Sequence, residues 1–137
     1  MIEELLNKII FKIENDNDRI DFYSTDGNMY SMYHDQDCCE SVSIDDINGD
    51  LDDLIGSPIL MADESYSKNT KLDGTPDDDC ESCTWTFYRF ATVKGYVNIR
   101  WYGASNGYYS ESVNIYKSKI DIDELRDYKL EEILKNE

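Results

Sequence analysis

The sequence predicts an α+β fold made mainly of antiparallel β-strands, and three observations carry that expectation. From Thr84 to Tyr116, three runs of β-branched and aromatic residues are separated by two glycine-containing breaks, Lys94-Gly95 and Gly103-Ala104-Ser105-Asn106-Gly107, which is the pattern of a three-strand meander. Near the N-terminus, Thr25-Asp26-Gly27-Asn28 separates two alternating runs, and Asp-Gly supplies the positive φ of a tight hairpin. Helical periodicity is confined to one short acidic segment and the C-terminal tail. At 137 residues the chain has the length of one domain, 1–137, able to close a single core.

In chain order, Met1 to Asn7 reads as a helical turn leading into a strand, Ile9 to Glu14, with Ile9, Phe11 and Ile13 on one face. Strands at Arg19 to Ser24 and Met29 to Tyr33 complete an N-terminal three-strand unit. A short strand, Ser41 to Ile44, is followed by a predicted helix over 45–56, where Ile47, Leu51, Leu54 and Ile55 recur at helical spacing, aspartates crowd the first turn, and Gly56 then Pro58 stop it. Pro58 to Ala62 is a short apolar strand. Residues 63–83 form a polar, acidic loop of a length that implies mobility or function. After the meander, 118–137 is a terminal helix or tail, which Asp121 or Asp123 can cap and in which Leu125, Tyr128, Ile133 and Leu134 form an imperfect apolar stripe.

The charge of −17, with a sequence pI near 4.2, opposes direct binding to nucleic-acid phosphates or to an anionic membrane. Such acidity instead favours solubility, a basic protein partner, or imitation of a polyanion. It is also concentrated: between His34 and Cys83, fifteen carboxylates face only Lys68 and Lys71, a net −13. Asp45, Asp46, Asp50, Asp52, Asp53, Asp77, Asp78 and Asp79 are therefore the candidate partner-binding residues. No apolar run reaches the ~20 residues of a membrane span, and MIEELLNKII lacks the basic and apolar regions of a signal peptide, so the expected compartment is the cytosol.

In that compartment Cys38, Cys39, Cys80 and Cys83 are expected as free thiols or metal ligands rather than disulfides. His34 with Cys38 or Cys39, joined by Cys80 and Cys83, would make a tetrahedral zinc set, but adjacent cysteines suit one metal poorly and no second Cys-x-x-Cys supports the pair. No metal or other cofactor is expected. An EF-hand-like reading of Asp46, Asn48 and Asp50 fails, because Leu51 stands where glycine is needed and Ser57 where a bidentate glutamate is needed. A cysteine nucleophile with His34 as base is opposed by Asp35, Asp37 and Glu40, which disfavour the thiolate, and no enzyme activity is expected.

A turn centred on Lys94-Gly95 pairs Arg89 with Arg100 across strands, a like-charge contact that needs a carboxylate or a bound anion. Tyr88, Phe90, Val97, Ile99 and Trp101 fall on the opposite, core face. Counting Gly103 to Gly107 as a five-residue loop puts Val113 and Ile115 in the core; counting four puts Glu111 beside Arg100. The apolar pattern favours five. The outcome is a polar platform of Arg89, Asn98, Arg100, Tyr102, Tyr108 and Ser110, suited to a phosphorylated small molecule or a carboxylate-bearing segment, or covered by the chain's own acidic loop.

Four segments, MYHDQDCCESV (32–42), LIGSPI (54–59), TWTFY (84–88) and IRWYGASNGYYSESV (99–113), resemble a family of small proteins of unknown function encoded by tailed phages and prophages. The resemblance covers residues 1–116 apart from the acidic loop. It implies a setting, a phage accessory protein in the bacterial host cytoplasm, and assigns no residue a role. Combined with the charge, it leads to the expectation of stoichiometric binding that inhibits a host defence or nucleic-acid-handling protein with a basic surface. The alternative is a sponge that sequesters a nucleotide-type signal on the Arg/Tyr platform.

Overall fold

A computed structural model describes residues 2–135. A 3₁₀ turn, Ile2–Leu5, precedes β1 (Ile10–Asn15), β2 (Arg19–Ser24), β3 (Asn28–Tyr33) and β4 (Ser41–Asn48). A second 3₁₀ turn, Leu51–Leu54, leads to β5 (Met61–Lys68), β6 (Ser82–Thr92), β7 (Gly95–Ser105), β8 (Asn114–Lys119) and α1 (Ile122–Lys135). Two four-stranded sheets result, ordered β1-β2-β3-β8 and β4-β7-β6-β5, with every pairing antiparallel. The α+β fold expected from the sequence is the one observed.

Each sheet turns one alternating face inward. Ile20 and Phe22 of β2 and Tyr30 and Met32 of β3 meet Tyr88 and Phe90 of β6 and Val97, Ile99 and Trp101 of β7 in one buried cluster. The rings of Phe22 and Phe90 lie 5.4 Å apart at a tilted angle across the two sheets. α1 lies against the outer face of the first sheet, where Tyr128 stacks on Phe11 at 4.4 Å and Glu124 accepts from Lys12 at 2.5 Å. Asp121 caps the helix by accepting from the Asp123 N–H. The side chains of Ile133 and Leu134 lie outside the described residues.

Four expectations change. The third strand of the expected meander leaves that sheet: β8 pairs with β3, placing Ile115 opposite Met32. The strand beside β7 is β4 instead. The expected helix over 45–56 is strand through Asn48 and then a single 3₁₀ turn, capped by Asp50. A β-bulge at Asp45 is the reason for the helix-like spacing, since the extra residue lets Ile44 and Ile47, three apart, both face inward opposite Trp101 and Ile99. That spacing imitates a helix.

The short strand expected at 58–62 begins later and runs on, so that 63–68 of the expected acidic loop belong to β5 along its whole pairing with β6. Finally, the β6–β7 turn is Val93-Lys94 and Gly95 is already paired with Thr92, shifting the register by two. Arg89 faces Asn98 and Arg100 faces Phe87. A shift of two preserves the faces, and for that reason the core residues expected on β6 and β7 are the ones observed.

Segment 106–113 crosses from one sheet to the other and presses on β7 at Gly103, where an added Cβ would stand 2.9 Å from both Cβ and the carbonyl oxygen of Glu111. Gly103→Ala should therefore destabilise the fold by about 1–3 kcal/mol, read as a lower urea midpoint at unchanged slope.

Candidate functional site

The outer face of the second sheet carries polar and aromatic side chains beside a hollow. β6 contributes Trp85, Phe87 and Arg89, and β7 contributes Asn98, Arg100 and Tyr102. Asp46 and Asn48 of β4 and Asp63 of β5 border a hollow of about 600 Å³ over Phe87, Arg89, Asn98 and Arg100.

The bulge that keeps Ile44 and Ile47 inward sends Asp45 outward beside Arg100. Asp45 Oδ2 accepts from Arg100 Nε at 2.7 Å and lies 2.6 Å from Nη2, while Asp46 Oδ2 stands 4.0 Å away. The guanidinium also rests 5.5 Å from the Trp85 ring centroid, and Tyr102 packs on the same indole at 4.5 Å. Trp85 is fixed in turn by donating to the Thr70 carbonyl at 3.0 Å. Arg100 is thus answered by the chain's own carboxylate. Arg89 is exposed, and among the described residues no carboxylate comes within ion-pair distance of it.

Of the expected platform, Arg89, Asn98, Arg100 and Tyr102 share this face. Tyr108 and Ser110 do not: both sit on segment 106–113, where Tyr108 is 84% exposed and Ser110 borders a second hollow, of about 320 Å³, with Tyr66, Thr84, Thr86 and Glu111. Neither loop count applies to this segment, since β8 joins the other sheet. Glu111 lies beneath Gly103, buried, accepting from Thr84 Oγ1 at 2.7 Å and from Ser105 Oγ. Burial pushes its carboxyl up, but the hydroxyls of Ser105, Thr84 and Ser82 outweigh that and hold it below the ordinary range.

The candidate partner-binding aspartates divide by role. Asp45 is spent on Arg100, and Asp50 caps the 3₁₀ turn by accepting from the Asp52 N–H at 2.9 Å. Asp53 stands at the β6–β7 turn, close to Gly95. Asp46, Asp52, Asp78 and Asp79 are exposed, while Asp77 is half-buried beside Cys83. The four-ligand zinc set weighed from the sequence is not assembled around His34. Its Nδ1 is 2.7 Å from the Ser112 carbonyl and its Nε2 is 2.7 Å from Glu40 Oε2, so both ring nitrogens are engaged.

Glu40 also accepts from the N–H groups of Asp37 and Cys38 and from the Gln36 amide, a nest that closes the 34–40 turn and ties it to segment 106–113. The four cysteines are paired, Cys38 with Cys39 and Cys80 with Cys83, rather than the free thiols or metal ligands expected. Nothing in the residue types alone signalled the Glu40 nest or the burial of Glu111, because both depend on where the chain crosses between sheets.

The hydrogen bond from His34 holds the Glu40 carboxyl down at about 2 against the opposing effect of burial, with help from the Cys38 and Asp37 N–H groups. A carboxyl depressed in the folded state contributes stability that is complete above its ordinary value of 4.5 and lost as pH falls toward about 2. Glu40→Gln should therefore flatten the stability profile across that acid window, checked by urea denaturation at a series of pH values.

Among the described residues no helix is long and apolar enough to cross a membrane. No curated protein matches the chain, and no solved structure does. A family model described as Domain of unknown function (DUF7448) matches residues 3–115, from the first 3₁₀ turn into β8 and across both hollows, and the chain belongs to that family.

Proposed function

We propose that this chain is a phage accessory protein of the bacterial host cytoplasm that acts by stoichiometric binding. Its acidic surface docks on a basic, nucleic-acid-handling or defence protein of the host and blocks it. The observation that carries this reading is the internal pairing of Arg100 with Asp45, which neutralises one of the two arginines that β6 and β7 place on the outer face while Asp46 and Asp63 stay exposed beside the hollow. With a net charge of −17, the field beyond the surface attracts cations and repels phosphates.

A second reading, sequestration of a phosphorylated small molecule of nucleotide type, has Arg89 in its favour, an exposed guanidinium beside a hollow. Asp46 and Asp63 border the same hollow and work against an anion there. Under the first reading, affinity for a basic partner captured from host lysate should fall by about tenfold or more as salt rises from about 50 to 200 mM, and the combined change Asp46→Asn with Asp52→Asn should weaken it in the same direction. Isothermal titration checks both. Salt-independent affinity contradicts the electrostatic docking, and retention of a phosphorylated metabolite that Arg89→Ala abolishes favours the second reading.

A further inference from the structure

Asn69 ties the two ends of segment 69–83 together. Asn69, with φ of +56°, donates its N–H to the Cys83 carbonyl at 2.7 Å, accepts from the Cys83 N–H on its side-chain oxygen at 2.9 Å, and accepts from the Asp77 N–H on its own carbonyl at 2.9 Å. A bridge between Thr70 and Pro76 closes the turn, and Trp85 anchors it through the Thr70 carbonyl. Asp77 uses Oδ1 to accept from the Asp79 N–H at 3.0 Å and leaves Oδ2 beside Cys83 Sγ at 3.9 Å. As a result one carboxylate oxygen and the sulfurs of Cys80 and Cys83 lie within 4.8 Å of one another, with Cys83 buried and the other two half-buried.

We propose that the reduced form of this cluster binds a thiophilic divalent cation of the zinc type through Asp77, Cys80 and Cys83. The sulfurs are joined in the structure. A reductant supplies two electrons and the S–S bond opens to two thiols: a dithiol also gives the two protons and leaves as its disulfide, whereas with a phosphine one water gives both protons and the oxygen of the phosphine oxide. Cation binding then expels those two protons as two thiolates form. Two soft sulfurs and one carboxylate oxygen select zinc-like ions over magnesium or calcium, which take oxygen ligands. Three protein donors leave the fourth tetrahedral position to water.

Asp78, Asp79 and Glu81, exposed and next to the cluster in sequence, add negative charge to this stretch, which draws a cation in and disfavours a bare thiolate. His34 is not needed, being engaged by Glu40 and Ser112. The proposal is independent of what the acidic face docks against.

The test uses the full chain kept reduced with a phosphine and titrated with cobalt(II) as the probe, followed by zinc displacement. Expected are one cobalt per chain and a thiolate-to-cobalt charge-transfer band. Cys80→Ser removes the band, Asp77→Asn weakens binding by about tenfold or more, and Cys38→Ser leaves both unchanged. Asp77→Asn is nearly isosteric and spares both thiols, so it reports on the site even if Cys80→Ser disturbs the loop. Absence of a thiolate band in the folded, reduced wild type overturns the proposal, as does a band that persists in Cys80→Ser, affinity unchanged in Asp77→Asn, or a band lost in Cys38→Ser.

Discussion

The second sheet depends on one pairing, β6 against β7 over eleven residues of each strand. Its inner face supplies Tyr88, Phe90, Val97, Ile99 and Trp101 to the core, and its outer face supplies Arg89, Asn98, Arg100 and Tyr102 to the surface. The two functions cannot be separated, because alternation along a strand assigns every second residue to each. β4 and β5 add to either side of this hairpin, and whatever they present outward borders the hollow above it.

The bulge at Asp45 links core and surface most closely. Inserting one residue keeps two isoleucines buried and at the same time brings a carboxylate to 2.6 Å from Arg100. A half-exposed ion pair of this kind contributes little to stability. Its consequence is electrostatic: it leaves Arg100 answered within the chain in the middle of an acidic protein. The Glu40 nest plays a comparable role at the edge, where His34 bridges the turn before β4 to the segment that carries the chain back to the first sheet.

Much of the architecture was legible because alternation and turn chemistry are local. The hairpin at Asp26-Gly27, the inward set on β6 and β7, and the terminal helix all follow from patterns within one or two elements. The partner of β8 was not legible. Val113 and Ile115 must be buried, but no local feature says against which sheet. The bulge was invisible for a related reason, since Ile44 and Ile47 at a spacing of three fit one helical face as well as a kinked strand. The register error of two left the faces intact but moved Arg100 away from Arg89's partner position, so the expected like-charge pair gave way to Arg100 with Asp45. Asp77 joined Cys80 and Cys83 only through the positive-φ turn at Asn69.

The central claim is that the outer face of the second sheet takes cationic groups. Backbone NMR of the labelled protein, titrated separately with an oligolysine peptide and with a nucleoside triphosphate, tests it directly. The account predicts saturable shifts at Asp46, Asn48, Asp63 and Asn98 with the peptide, and none at these positions with the nucleotide. Saturable shifts centred on Arg89 and Arg100 with the nucleotide, and none with the peptide, would contradict it.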